Sequence, residues 1–192
     1  LGGVAIYGAV IAAFLSGYFA CRWRKVPILP MFDLAGMGFL LGQGIGRWGN
    51  FVNCEAFGGY TDSLFAMRIK RSIVNESMIS QELLENLITE NGIEYIQVHP
   101  TFLYESMWNL GLLLFMLWYR KRKKFTGEML LIYLTGYGIG RAWIEGLRTD
   151  QLLIPGTELA VSQVLSMVIA VISLAVLLFH RRKGPGESEE TV

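Results

Sequence analysis

Five apolar runs, each approaching the length that crosses a bilayer, restrict this chain to very few architectures. Residues 4–21 carry no charge, residues 31–45 are shorter and hold Asp33 near their start, and residues 102–119 contain one carboxylate, Glu105. Residues 129–147 stay apolar until their last two turns, and residues 159–179 are apolar throughout. A transmembrane helix needs about 20 mostly apolar residues to cover ~30 Å of hydrocarbon. Lipid offers no partner to an unpaired peptide group, so a helix that satisfies its own backbone is the simplest way across. The composition, 53% hydrophobic and 17% charged, agrees. The expected fold is an all-α polytopic membrane protein of about five transmembrane helices with a small mixed α/β head. The chain begins at Leu1, almost directly inside a run, which reads as a fragment or processed product, and no cleavable signal pattern is visible.

Charge placement orients the spans. Arg22, Arg24 and Lys25 follow the first run, residues 120–124 form a basic cluster between the third and fourth, and Arg181, Arg182 and Lys183 follow the fifth. If five spans alternate in direction, all three clusters fall on one side, and the positive-inside rule makes that side the cytoplasm. The net charge of only +1 leaves no basic surface for nucleic acid. Cys21 and Cys54 then lie at opposite faces and cannot pair with each other. The chain divides into residues 1–59, two spans and a glycine-rich stretch; 60–98, an outer head; 99–180, three spans; and 181–192, an inner tail, polar and disordered from residue 184.

The glycine-rich stretch, GQGIGRWGNFVNCEAFGG at residues 42–59, stands where the second span ends on the outer side. Its six glycines suit a non-helical fold-back into the outer leaflet, a geometry tolerated at membrane depth only against protein or a polar cavity. In the head, residues 64–69 and 93–98 alternate like short strands. Residues 80–91 suggest an amphipathic helix, capped by Ser80 and ended by Asn91-Gly92.

Three arginines outside the inner clusters need an explanation: Arg47, Arg141 and Arg148 lie in or beside spans near the outer surface. Arg141 is about 9 Å below the outer end of its span. Tyr137, Arg141, Glu145 and Arg148 share one narrow helical face, which carries two cations and one carboxylate. One reading is a structural ion pair between Arg141 and Glu145, leaving Arg47 and Arg148 without assigned partners. The other is an anion site in which guanidinium groups grip a phosphodiester, the abundant anion there being a membrane lipid headgroup. Charge placement alone supports an enzyme and a phospholipid or anion transporter equally. No His, Cys and carboxylate grouping has metal-site spacing, so neither metal nor cofactor is expected.

The segment GRWGNFVNCEAFG, from Gly46 to Gly58, closely resembles the signature of the prolipoprotein diacylglyceryl transferases. The segment HPTFLYE from His99 to Glu105 is similar to a second family segment. Tyr137-Gly138 through Arg141, Glu145, Arg148 and Asp150 is similar to a third. The resemblance implies transfer of the diacylglyceryl group of phosphatidylglycerol to the lipobox cysteine thiol in a prolipoprotein signal peptide, forming a thioether and releasing glycerol phosphate. It also implies a multi-pass protein of the bacterial plasma membrane, active toward the outer leaflet. Family members have further membrane-spanning sequence upstream of the position of Leu1. Well-known members also carry a histidine, a proposed base, where this chain has Tyr7.

On that reading Arg47 and Arg141 stabilise the phosphate as it gains charge, and Arg148 either assists or holds Glu145. Asn50 and Glu55 either orient the glycerol hydroxyls and Arg47 or brace the loop. Gly58, Tyr137 and His99 complete the expected lipid site; His99 alternatively serves as a cap or hinge before Pro100. A thiol with its usual pKa near 8.5 must be activated. The arginine field, Tyr7 as a hydrogen-bonding group and Glu145 as proton acceptor are the available means. The attacking sulfur belongs to the substrate in this family, whereas a cysteine hydrolase would use Cys54 with His99. Cys54→Ser in a full-length chain is therefore expected to retain transfer to a lipobox peptide, read by mass spectrometry; loss of transfer would make Cys54 the nucleophile.

Overall fold

The computed structural model describes residues 2–149, 151–154, 156–157 and 159–183, with the side chains of residues 2–7, 9–11 and 183 outside the description. Its long helices are α1 (Gly2–Arg24), α2 (Ile28–Val52), α4 (Thr101–Tyr119), α5 (Glu128–Glu145) and α6 (Val161–Lys183). They coincide in order with the five apolar runs. Of these, Ile28–Val52 and Val161–Arg182 are long and apolar enough to cross a membrane on their own composition, and only 22% and 17% of their most apolar windows are buried inside the protein. A soluble protein would bury such helices. Here Phe19, Ile45, Leu114 and Val171 are each at least 60% exposed, and apolar side chains cover the outward faces of all the long helices whose side chains are described, an exterior suited to lipid. Helices α4 and α5 carry polar groups inward, among them the buried Glu105, Ser106, Asn109 and Glu145.

Close approach of small residues brings the helices together. Helix α5 packs most extensively on α6, and α2 on α4. A Cβ added to Gly138 would come within 2.7 Å of the Ser166 carbonyl oxygen on α6. On another side of α5, Leu112 and Trp108 of α4 fill the notches over Gly136 and Gly140, and Trp108 Nε1 donates to the Gly136 carbonyl at 2.9 Å. Between α2 and α4, Ser106 Oγ donates to the Gly44 carbonyl at 2.9 Å and accepts from Trp48 Nε1 at 3.2 Å. Glycine contact and short interhelical hydrogen bonds are what hold helices together where lipid removes the usual hydrophobic drive. Below these contacts Leu40, Met116, Met129, Ile132, Tyr133 and Leu177 form the bundle core.

One end of the bundle is pinned by two buried carboxylates. Asp33, four per cent exposed, accepts from the Gly127 amide at 3.0 Å and the Leu130 amide at 2.9 Å, with Lys123 Nζ at 3.5 Å. Glu128, fully buried, accepts from Arg181 Nε at 2.7 Å, from the Tyr119 hydroxyl at 3.0 Å and from the Lys124 amide. Two of the three basic clusters thus converge on one end. Pairing with Glu128 also explains a correction to the expected boundaries: Arg181 and Arg182 belong to α6 and not to the tail. Residues 184–192 lie outside the described residues.

The head contains β1 (Met67–Lys70), a short α3 (Gln81–Glu85), β2 (Ile88–Glu90) and β3 (Ile93–Val98), in an antiparallel sheet ordered β1-β3-β2. Strand β3 falls where expected, and Ser80 does cap a helix, accepting from the Leu83 amide. That helix is much shorter than expected. Asn91 (φ 52) and Gly92 (φ 77) take left-handed conformations that close a two-residue hairpin between β2 and β3, the turn Asn-Gly favours. Strand β1 starts at Met67 because a turn from Ser63 to Ala66 precedes it.

The glycine-rich stretch departs most from expectation. It remains helical to Val52, so the second long helix is 25 residues and the fold-back begins only at Asn53. Gly36 and Gly44 are contact points against Tyr133 and Leu110, whereas Gly42, Gly46 and Gly49 have open space where a Cβ would stand. Gly138→Ala is expected to lower stability by about 1–3 kcal/mol through overpacking against α6. Gly42→Ala should be neutral or stabilising by about 0.5–1 kcal/mol. Unfolding of the two variants in detergent measures the difference.

Candidate functional site

At the opposite end of the bundle, α2, α4 and α5 bring three guanidinium groups onto two buried carboxylates. Glu105, in the second turn of α4, is four per cent exposed. Its Oε2 lies 2.6 Å from Arg47 Nε, and its Oε1 lies 3.1 Å from Arg141 Nη1 and 4.0 Å from Arg148 Nη1. Glu145 Oε2 is 2.5 Å from Arg141 Nη2 and 3.8 Å from Arg148 Nη1. The other oxygen of Glu145 accepts from Ser162 Oγ at 2.5 Å, and Gln151 Nε2 holds the Glu145 carbonyl at 2.6 Å. Burying a carboxylate is costly unless it is paired and hydrogen-bonded. The planar guanidinium suits this because one group can bridge two carboxylates, as Arg141 does.

Among the described contacts three guanidiniums, those of Arg47, Arg141 and Arg148, share two carboxylates, Glu105 and Glu145. The arginine side chains keep 22%, 16% and 12% of their surface for Arg47, Arg141 and Arg148. A monoanion reaching them would meet guanidiniums already fixed in direction and largely shielded from water, where charge-assisted hydrogen bonds are strong.

A strap beside this cluster fixes the loop after α2. Asn50 accepts from Arg47 Nη1 at 3.3 Å and donates to Glu55 Oε1 at 3.1 Å, and Asn53 donates to the same oxygen at 3.2 Å. Cys54 and Ala56 adopt left-handed conformations (φ 52 and 55), and Thr101 Oγ1 donates to the Ala56 carbonyl. Gly58 then donates to the His99 carbonyl, Gly59 to the Leu147 carbonyl, and the His99 amide to the Gly59 carbonyl, each at 3.0 Å. A Cβ on Gly58 would lie 2.7 Å from His99 Cβ and 2.8 Å from the Leu147 carbonyl oxygen, so only glycine fits where the three segments meet.

The residues singled out in the sequence separate accordingly. Arg47, Arg141, Glu145 and Arg148 form one cluster, and Asn50 joins it to Glu55. The Arg141–Glu145 pair is present, but Arg47 and Arg148 are not left without partners, since both approach Glu105. Gly58 and His99 belong to the strap, and the His99 ring lies 3.3 Å from the Tyr104 hydroxyl. Tyr137 stacks on Tyr133 at 5.7 Å, one turn nearer the bundle core than Arg141. The Tyr7 side chain and Asp150 lie outside the described residues. Cys54 packs at the edge of the head core around Phe57. The residue sequence reasoning passed over is Glu105. Its signal was present as the lone carboxylate of an apolar run, a placement that in membranes marks a paired functional group.

Comparison with known proteins bears on this geometry. A family model described as prolipoprotein diacylglyceryl transferase matches residues 1–179. Proteins named phosphatidylglycerol–prolipoprotein diacylglyceryl transferase from Lysinibacillus sphaericus and Geobacillus kaustophilus are 41% and 40% identical, each match covering 95% of this chain and 63% of the relative. One from Staphylococcus aureus is 37% identical, with 95% of this chain and 60% of the relative covered. The chain thus spans a little over half, 60–63%, of the length of these relatives.

Glu105→Gln leaves the guanidiniums facing an uncharged amide and is expected to cost about 3–5 kcal/mol, the range for breaking a buried pair from one side. Glu94→Gln, which breaks the exposed Arg71–Glu94 pair of the head, should cost under about 1 kcal/mol. Denaturant unfolding of both variants in detergent tests the contrast.

Proposed function

The chain belongs to the prolipoprotein diacylglyceryl transferase family, and from that premise we propose that it transfers the diacylglyceryl group of phosphatidylglycerol to the lipobox cysteine of a prolipoprotein signal peptide. The observation that carries the reading is the convergence of Arg47 and Arg141, both partly exposed, on the one buried carboxylate of Glu105, which fixes their guanidinium N–H groups in direction for a phosphodiester. In the reaction the substrate thiol loses its proton and its sulfur forms a bond to the terminal glycerol carbon. The bond from that carbon to the phosphate oxygen breaks, and glycerol phosphate leaves with the electron pair. Charge grows on the phosphate during the displacement. Guanidiniums already oriented by buried carboxylates stabilise that growth without reorganising.

Roles within the site follow the contacts. Arg47 and Arg141, each in direct contact with Glu105, hold the departing phosphate. Arg148 and Glu145 set the position of Arg141, and Asn50 with Glu55 steadies Arg47. Glu145 is already engaged by Arg141 and Ser162, which favours a positioning role over that of proton acceptor. The arginine field lowers the pKa of the incoming thiol, with Tyr7 as a second hydrogen-bonding group. Gly58 and His99 shape the loop beside the lipid, and Tyr137 lines its deeper side.

The same reading makes all five long helices transmembrane in a bacterial plasma membrane. The basic clusters and residues 181–192 lie on the cytoplasmic side. The head, residues 60–98, lies outside, joined to the two-span segment 1–59 and the three-span segment 99–180, and the arginine site opens toward the outer leaflet. The lipid exterior and the grouping of Lys123 with Arg181 at the end opposite the arginine site support this arrangement. A phospholipid or anion transporter would use the same arginines without breaking a bond, and the family match does not favour it.

In a chain of the relatives' full length, Arg47→Ala and Arg141→Ala are each expected to lower diacylglyceryl transfer to a lipobox peptide by about 10²–10³-fold, the loss typical of one oriented charge-stabilising group. Near-normal turnover in both variants, followed by mass spectrometry of the peptide, would remove their assigned role.

A further inference from the structure

Gln43 is a polar residue of the glycine-rich stretch that the arginine site leaves unused. It lies on α2 one turn before Arg47, about 6 Å deeper along the helix. Its Nε2 donates to the Tyr133 hydroxyl of α5 at 3.2 Å, while its Oε1 is buried without a hydrogen-bond partner. An unpaired buried carbonyl oxygen is destabilising, and hydrocarbon supplies no water to relieve it. Tyr133 is itself buried, stacked on Tyr137 at 5.7 Å and tilted against Phe39 at 6.1 Å, so the hydroxyl is held in place and the amide is the movable partner.

Turning that amide about Cγ–Cδ exchanges its two ends. The Tyr133 hydroxyl then donates to Oε1, and Nε2 presents its N–H groups on the side the oxygen had faced. In that state the pair is complete only if an acceptor meets Nε2. Gln43 as a whole is partly exposed, so an acceptor reaches Nε2 at the closed position of Oε1 as the side chain shifts outward.

Depth selects the acceptor. The headgroup region of a bilayer, the difference between ~30 Å of hydrocarbon and ~40–45 Å overall, is about 5–8 Å on each side. Over that distance a phospholipid passes from its phosphate to its acyl-ester carbonyls, which accept hydrogen bonds and donate none. With a phosphate at Arg47 and Arg141, an ester carbonyl falls at the level of Gln43. We propose that the Gln43–Tyr133 pair is a recognition subsite for an acyl-ester carbonyl of the lipid donor. The subsite rests on the reading given under Proposed function and extends it to a preference for ester-linked over ether-linked lipid.

The test compares phosphatidylglycerol carrying two ester-linked chains with its dialkyl-ether counterpart, in mixed micelles with full-length protein and a lipobox peptide. The wild type should favour the diester in kcat/KM by about five- to tenfold, the worth of one neutral hydrogen bond. Gln43→Leu should bring the diester down to the diether rate and leave the diether rate unchanged. Tyr133→Phe, which removes the anchor of the amide but keeps the ring, should shift the ratio in the same direction and carries the comparison if Gln43→Leu does not fold. An equal diester-to-diether ratio in the wild type and the folded variants overturns the subsite while leaving the transferase reading intact. Absence of transfer from either lipid by the wild type overturns the transferase reading itself, and the subsite with it.

Discussion

The contact of Glu105 with Arg47 and Arg141 is the interaction on which one end of the helix bundle depends. It joins α2, α4 and α5 through one carboxylate that is almost wholly withdrawn from solvent. Either charge alone would be expensive in such a place, and each makes the other tolerable. Because both oxygens of Glu105 are engaged by different helices, the two guanidiniums face each other across a fixed acceptor. The site is therefore an arrangement of the bundle and not of any single helix.

A second pair of buried carboxylates does different work. Asp33 and Glu128 meet backbone amides and one cation each at the helix ends, with Asp33 satisfying the first amides of α5. Those bonds complete a helix start, where peptide N–H groups have no partners within the helix. At Glu105 and Glu145 the acidic side chains face arginines. Both ends bury acids beneath basic groups, and at the arginine site those groups are guanidiniums placed where the helices converge on the glycine-rich stretch.

The long helices were legible because a bilayer imposes a length on apolar runs, and the arginines stood out because such runs exclude them. Spacing on one helix found Arg141, Glu145 and Arg148, but could not pair Arg47 with Glu105, since that contact joins helices remote in sequence. The extent of α2 was misread for a similar reason. Glycine permits both a break and a close packing, and only the neighbouring Leu110 and Tyr133 show that Gly44 and Gly36 serve the second use. In the head, Asn91-Gly92 ended an element as expected. That the element is a strand and not a helix followed from pairing with β3, which local periodicity does not report.

The strap at Gly58, Gly59 and His99 has a consequence for how the head can vary. The outward and returning chains cross-bond within one residue of each other, so the excursion from Tyr60 to Val98 leaves and returns through one closed neck, its core seated on Phe57 beside it. Lengthening or shortening such an excursion changes closure entropy only slowly with its length, and it leaves the backbone below the neck undisturbed. The head is thus free to vary in length while the charged floor beneath it keeps its shape.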